Sequence, residues 1–213
     1  MMAAMALLFA CNAASAAREN DDEARKQALA HIQSRDADER LAACAALAKV
    51  GKAEDLSLLQ ALLFDEDERI RGASEAVIWA IWSRSGDAAT DRLFLQGVEQ
   101  MRDGRLRMAI ETFNRVIAMR PEFAEAWNKR ATVYFLLGED DLSLRDCAEV
   151  VKRNPRHFGV LAGYGQIYLR KGEVQRALDY FEQAIAINPN MTGVQASIDA
   201  LRELMVKRGR RFI

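Results

Sequence analysis

The chain has 213 residues, with 30 Lys and Arg against 31 Asp and Glu; a net charge of −1 sets aside a strongly basic nucleic-acid binder. Only 12 Gly and 3 Pro interrupt it and half of it is apolar, so it reads as a folded all-α protein of one large or two small domains. No run of about 20 apolar residues offers a membrane-spanning helix, and 3 Cys with 2 His do not make a Cys/His-rich metal domain.

Met1 to Ala17 carries no charge, has a short apolar centre at Leu7, Leu8 and Phe9, and ends in Ala14-Ser15-Ala16 just before charge begins at Arg18. This order resembles a secretory signal peptide over 1–16, although no Lys or Arg precedes the apolar run. The expectation is export across a bacterial inner membrane, leaving a periplasmic protein. Leu8-Phe9-Ala10-Cys11 also resembles a lipid-attachment box, so a lipoprotein held through Cys11 stays open, as does a cytoplasmic protein with an Ala-rich helical start. Cys44 and Cys147 lie on apolar helix faces and are expected to be buried thiols.

Residues 17–86 form a first helical region. Asp36 and Asp67 are 31 apart, as are Arg40 and Arg71, Ala42 and Ala73, and Leu47 and Ile78. Arg, then Ala, then Leu, then Gly51 before a second helix resembles short HEAT-like repeats; an ordinary helical bundle is the other reading. The acidic run Asp65-Glu66-Asp67-Glu68 lacks calcium-loop spacing and reads as a helix start. Trp79 and Trp82 are expected in the core where this cap meets the second half of the chain, and Ser85-Gly86-Asp87 is the expected break. Charge divides here: residues 18–87 sum to −5 and residues 88–213 to +4, so an acidic partner would prefer the second part.

The second part is periodic. Pro121, Pro155 and Pro189 are spaced by 34, and Gly104, Gly138 and Gly172 keep the same interval. Each unit offers a bulky residue (Leu93, Trp127, Leu161), then a small one four positions on (Gly97, Ala131, Gly165). A second small residue comes next (Ala109, Ser143, Ala177), then Phe113, Cys147 or Phe181. This pattern resembles the tetratricopeptide repeat, in three units at 90–123, 124–157 and 158–191 within 87–189. Small residues let two helices approach, the mid-unit Gly ends helix A by accepting positive φ, and Pro stops helix B and can open the next helix. Gln96 and Arg130 stand where Leu is usual, and Gln100 where Tyr134 and Tyr168 fit, so the first unit is the least regular. Val194, Ile198, Leu201, Leu204 and Met205 read as a capping helix over 190–208. Lys207-Arg208-Gly209-Arg210-Arg211 runs into a basic tail at 209–213, read either as a solvated end or as a contact with an anionic surface. The fold expected is a right-handed α-solenoid of three repeat hairpins and a capping helix, preceded by HEAT-like repeats.

No nucleophile, phosphate-loop or metal motif is present, and no cofactor is expected. His31 on a polar helix and His157 after Pro155-Arg156 read as surface or turn residues. The resemblance implies a groove lined by helix A of each unit: Phe94, Val98, Met101 and Arg102, then Asn128, Thr132, Phe135 and Leu136, then Gln166, Leu169 and Arg170. Phe94 and Val98 occupy the places where the family's carboxylate clamp needs Lys and Asn, so recognition of a chaperone's C-terminal carboxylate is not expected. The runs Ala126–Ala131 and Pro155–Gly159 also resemble those of exported bacterial tetratricopeptide proteins of unassigned role. The expected function is a non-enzymatic scaffold of the bacterial envelope that binds a protein or peptide segment. An enzyme with a site at the junction of cap and solenoid, or a self-associating structural subunit, remain the alternatives.

Overall fold

A computed structural model describes residues 18–209, which are helical with no strand among them. The expected signal segment, Cys11 and most of the basic tail lie outside the described residues. The chain forms two compact units that divide after Ile81, ahead of the break expected at Ser85–Asp87, where Gly86 does turn at φ 80°.

The first unit holds α1 (18–31), α2 (Ala37–Val50), a short 3-10 turn (Ala53–Asp55), α3 (Leu56–Leu62) and α4 (Glu68–Trp82), which runs to the boundary. The 31-residue spacing has a structural counterpart. Asp36 accepts from Asp38 N–H to open α2, and Asp67 accepts from Arg69 N–H to open α4, both at 2.8 Å. Arg40 reaches back to the carbonyls of Ser34 and Arg35, and Arg71 to those of Asp65 and Glu66. Arg40 also clamps Asp65 through two 2.9 Å bonds, as Arg25 clamps the buried Asp55. Cys44, Leu47, Leu59, Leu63, Ile70 and Ile78 make the core. Burial pushes the Cys44 thiol up to about 11, which leaves it inert.

The second unit is three antiparallel pairs, α5 (Ala88–Arg102) with α6 (Leu106–Met119), α7 (Ala124–Leu136) with α8 (Asp140–Arg153), and α9 (Phe158–Arg170) with α10 (Val174–Ile187), closed by α11 (Thr192–Gly209). The period appears as a repeated turn. Gly104, Gly138 and Gly172 take φ between 74° and 76°. After each, an amide reaches back to close the helix, from Arg105 to Gln100, Glu139 to Tyr134 and Glu173 to Tyr168, at 2.8–2.9 Å. This double-bonded helix end needs a left-handed residue, which glycine supplies without a Cβ clash. Each Pro comes directly after the last cap of helix B (Arg120, Asn154, Asn188). It does not open the next helix, whose N-caps for α7 and α9 are Phe123 and His157, so proline acts here only as a stop.

Within a pair, the small residue lets an aromatic ring lie flat against backbone. Phe113 packs on Gly97 and Phe181 on Gly165, both rings fully buried. The irregular positions are also satisfied. Gln100, buried where a Tyr would be regular, accepts a 2.7 Å bond from Thr112 on α6. Arg130, in a Leu position, sends two 2.7 Å bonds to Asp146 and one to Asn114, with its guanidinium over the Trp127 ring. Val194, Ile198 and Leu201 seat α11 on the α9–α10 core. Trp82 is buried as expected of a core residue, and Trp79 is half-buried.

Candidate functional site

α7, α8 and α9 leave a cavity of about 120 Å³ between them. Asn128, Ala131, Thr132 and Phe135 come from α7, Ser143 and Cys147 from α8, and Gly159, Val160, Gly163, Gln166 and Ile167 from α9. The wall is mostly apolar, with Asn128, Thr132 and Gln166 as side-chain polar groups. Ser143 Oγ is taken up by a 2.8 Å bond to the Ala131 carbonyl, and the buried Cys147 thiol is pushed up to about 12 by desolvation, so neither supplies a nucleophile. Two larger hollows are more open to solvent. One lies between α1 and α2 and is lined largely by alanines, and the other lies beside Trp127 and Arg130 on α7 and α8.

Of the residues expected to line a groove, Asn128, Thr132, Phe135 and Gln166 meet in this cavity. The first repeat, α5 and α6, contributes none. Phe94 is a core residue, 1% exposed, packed against Phe113 and edge-on to Phe123; it turns inward because α5 has those two rings to meet. Val98 and Met101 pack on that same core. Arg102 is exposed and pairs with Glu99. Leu136 is exposed but off the cavity, and Leu169 packs on the third-unit core. Arg170 is already engaged: it bonds Asp140 and the Phe135 carbonyl and lies 3.8 Å from the Phe135 ring centre. Gly159 and Gly163 are absent from the expected site. Their signal is present in the sequence, since α9 carries glycines at 159, 163 and 165 and the repeat explains only the last. A Cβ at Gly163 would meet nothing within 4 Å, so this glycine opens space rather than permitting a contact.

The wall rests on a buried charged cluster. Glu125, fully buried at the start of α7, accepts from Asn128 Nδ2 at 3.1–3.2 Å and pairs with Lys129 Nζ at 2.9 Å. His157 Nε2 lies 2.9 Å from Glu125 Oε2, while Val160 N–H donates to His157 Nδ1 at 3.1 Å. An Nδ1 that accepts assigns the proton to Nε2, so the imidazole donates to the carboxylate and caps α9 with its other nitrogen. Trp82, the first residue of this unit, stacks on the imidazole at 4.1 Å. His157 is thus in the expected turn but is not a surface histidine: it is 1% exposed, because a carboxylate 32 positions earlier draws it inward. Burial alone would raise the Glu125 carboxyl, but the hydrogen bond from His157 and the adjacent Lys129 ammonium outweigh it and hold the group below the ordinary glutamate value. The cluster orients Asn128 and fixes the start of α9, one residue of the cavity wall and one helix of its frame.

A family model described as tetratricopeptide repeat matches residues 94–150, and another of the same description matches 159–191. The chain is 32% identical over 122 residues to a TPR repeat-containing protein of Rhizobium etli, across 57% of this chain and 60% of that one, less than two thirds of the relative's length. Among solved structures it is similar to the first TPR of Spaghetti (RPAP3) bound to the HSP90 peptide SRMEEVD, with a TM-score of 0.53 and 17% identity over 55% of this chain and 93% of that one. It is similar also to the type III secretion chaperone SycD of Yersinia enterocolitica in complex with a peptide of the translocator YopD, with a TM-score of 0.53 and 15% identity over 57% and 99%. At these identities the two structures speak for the fold.

Proposed function

Because residues 94–191 form a tetratricopeptide-repeat solenoid, we propose that the protein is an interaction module that holds a segment of another protein across α7 and α9. One apolar side chain of that segment enters the cavity, and Asn128, Thr132 and Gln166 bond its backbone. The cavity itself carries this reading. At about 120 Å³ it is close to the ~150 Å³ apolar space known to accept a benzene-sized group, and so suits a side chain of leucine or methionine size. Both solved structures named above hold peptides, which supports the mode of use. Catalysis has no place in this proposal, in which the Glu125–His157–Lys129 cluster braces a wall of the cavity. The uncharged start before Arg18 supports a bacterial envelope location, tested by intact-mass analysis of protein from cells: a chain starting at Ala17 supports export and cleavage, and a cytosolic chain starting at Met1 overturns it.

Gly163→Leu tests the cavity. A Cβ there meets nothing within 4 Å, so the new side chain starts into the open space of the cavity, and a helical glycine replaced by a better helix former should gain about 0.5–1 kcal/mol. An anchor side chain is worth about 1.5–3 kcal/mol when buried, so partner binding should fall by roughly tenfold to a hundredfold. Gly193→Leu, equally unhindered but on α11, is the control. Captured partners that wild type and Gly193→Leu retain and Gly163→Leu loses support the proposal; equal retention by all three sinks it.

A further inference from the structure

The hydroxyls of the α7–α9 cavity have already spent their protons. Thr132 Oγ1 donates to the Asn128 carbonyl at 3.0 Å, and Ser143 Oγ donates to the Ala131 carbonyl at 2.8 Å. A hydroxyl has one proton to give, so each is left with lone pairs alone. Asn128 is oriented by its neighbour. The buried Glu125 carboxylate is held ionised by Lys129 and the hydrogen bond from His157, and an ionised carboxylate can only accept. That assigns the Asn128 amide nitrogen to Glu125 and leaves Oδ1 as the free end. Among the described residues Oδ1 has no partner. Gln166 is exposed and likewise unbonded among the described residues, so it can present either end of its amide and sets no polarity. Oxygens of Asn128, Thr132 and Ser143 are thus the fixed polar groups of an otherwise mostly apolar lining, and they accept.

On the reading of this cavity as the seat of a partner segment, we propose that it selects a neutral N–H donor beside the aliphatic anchor, as a peptide amide supplies, and rejects a carboxylate there. An aspartate, a glutamate or a C-terminal carboxylate would set lone pairs against lone pairs. Its charge would also lie in apolar surroundings without a cation, since the Lys129 ammonium is paired with Glu125 and Arg170 with Asp140. A protonated amine offers donors but meets the same cost, because the Glu125 carboxylate is matched by Lys129 and His157. A peptide N–H gives up one neutral hydrogen bond to water and regains one on Asn128 or Thr132. The volume of the cavity sets the size of the anchor, and this polarity sets the class of the group next to it.

Three probes that share one isobutyl group test it: isovaleramide, methyl isovalerate and isovalerate. Amide and ester have the same carbonyl and differ in the donor; isovalerate replaces the donor by a charge. Binding to the full chain at neutral pH is read from the backbone amide signal of Gly159 in NMR spectra, with Gly163→Leu as the blocked cavity. Isovaleramide should bind about twofold to tenfold more tightly than the ester, the worth of one neutral hydrogen bond, and roughly tenfold or more tightly than isovalerate. Gly163→Leu should abolish the response to isovaleramide. Equal binding of amide and ester, or tighter binding of isovalerate, overturns the donor selection and leaves the cavity standing as a site. No response to any probe, or a response that Gly163→Leu does not weaken, overturns the cavity as a site and the donor selection with it.

Discussion

Gly165→Ala is expected to cost the second unit about 3 kcal/mol, although alanine is the better helix former. A Cβ at Gly165 would lie 2.4 Å from two ring carbons of Phe181 and 2.8 Å from a third. The ring cannot step aside, because Phe181 is fully buried between Ala177 and Ala184, themselves wholly covered. One methyl group must therefore displace a ring, and the ring must displace the interface of α9 and α10. Gly97 repeats the arrangement one end earlier with Phe113 at 2.7–3.0 Å, a looser approach, so Gly97→Ala should cost less. Gly163→Ala, two positions from Gly165 on the same helix, should instead stabilise by about 0.5–1 kcal/mol. Urea unfolding midpoints rank the three. Equal midpoints for Gly165→Ala and Gly163→Ala would show that the close approach of ring and backbone carries no energetic weight.

Glu125→Ala is expected to be more damaging still, by about 3–5 kcal/mol, since it leaves the imidazole of His157 and the Lys129 ammonium without the carboxylate they share. The same carboxylate gives stability a pH dependence of defined sign. Burial works to raise its pKa, and the hydrogen bond from His157 with the bond and charge of Lys129 bring it below the ordinary 4.5. A group with a depressed native pKa binds fewer protons folded than unfolded. Its contribution is therefore complete above about pH 4.5 and is lost as pH falls through the lower native value. Wild type should lose urea resistance steeply below pH 4.5, while Glu125→Gln, weaker at neutral pH, should show a flatter profile there. Parallel profiles for the two chains would remove Glu125 from the acid response. Replacing Glu125, His157 and Lys129 together by apolar residues of similar size should recover part of the loss at neutral pH, as no charge is then stranded.

The repeat is legible in the sequence because it depends on residues whose necessity is local. A left-handed helix end demands glycine, and Gly104, Gly138 and Gly172 mark it whatever surrounds them. Small residues opposite large rings, Gly97 with Phe113 and Gly165 with Phe181, are likewise visible as spacing. The hidden features depend on partners in other elements. Gln100 reads as a defect of the first repeat until Thr112, on the next helix, supplies its bond. His157 sits after a Pro-Arg turn and reads as exposed, and nothing nearby announces Glu125. Repeat position alone places Phe94 in a groove, but a ring beside Phe113 and Phe123 is drawn into the core by the area it can bury there. The cavity is half legible: Asn128, Thr132, Phe135 and Gln166 come from repeat position, whereas the helix B contribution of Ser143 and Cys147 and the hollowing glycines of α9 do not. In the first unit the 31-residue spacing reappears as the paired hooks of Arg40 and Arg71, a local device that sequence spacing can carry.

Tyr164, Tyr168 and Tyr180 lie within 4.5–6.2 Å of one another, with ring planes 9–13° apart. Three of the four tyrosines of the chain are thereby gathered in its third repeat, while Trp127 belongs to the second. Nearly parallel phenol rings at such separations couple their electronic transitions, so the third repeat carries a chiral ultraviolet signature distinct from indole fluorescence. In a chain whose Trp79 and Trp82 are replaced by Phe, the two signals divide the solenoid into spectrally separate neighbours. In a linear array each repeat is held mainly by those beside it, and the lag between phenol and indole signals during unfolding measures how far order spreads from one repeat to the next.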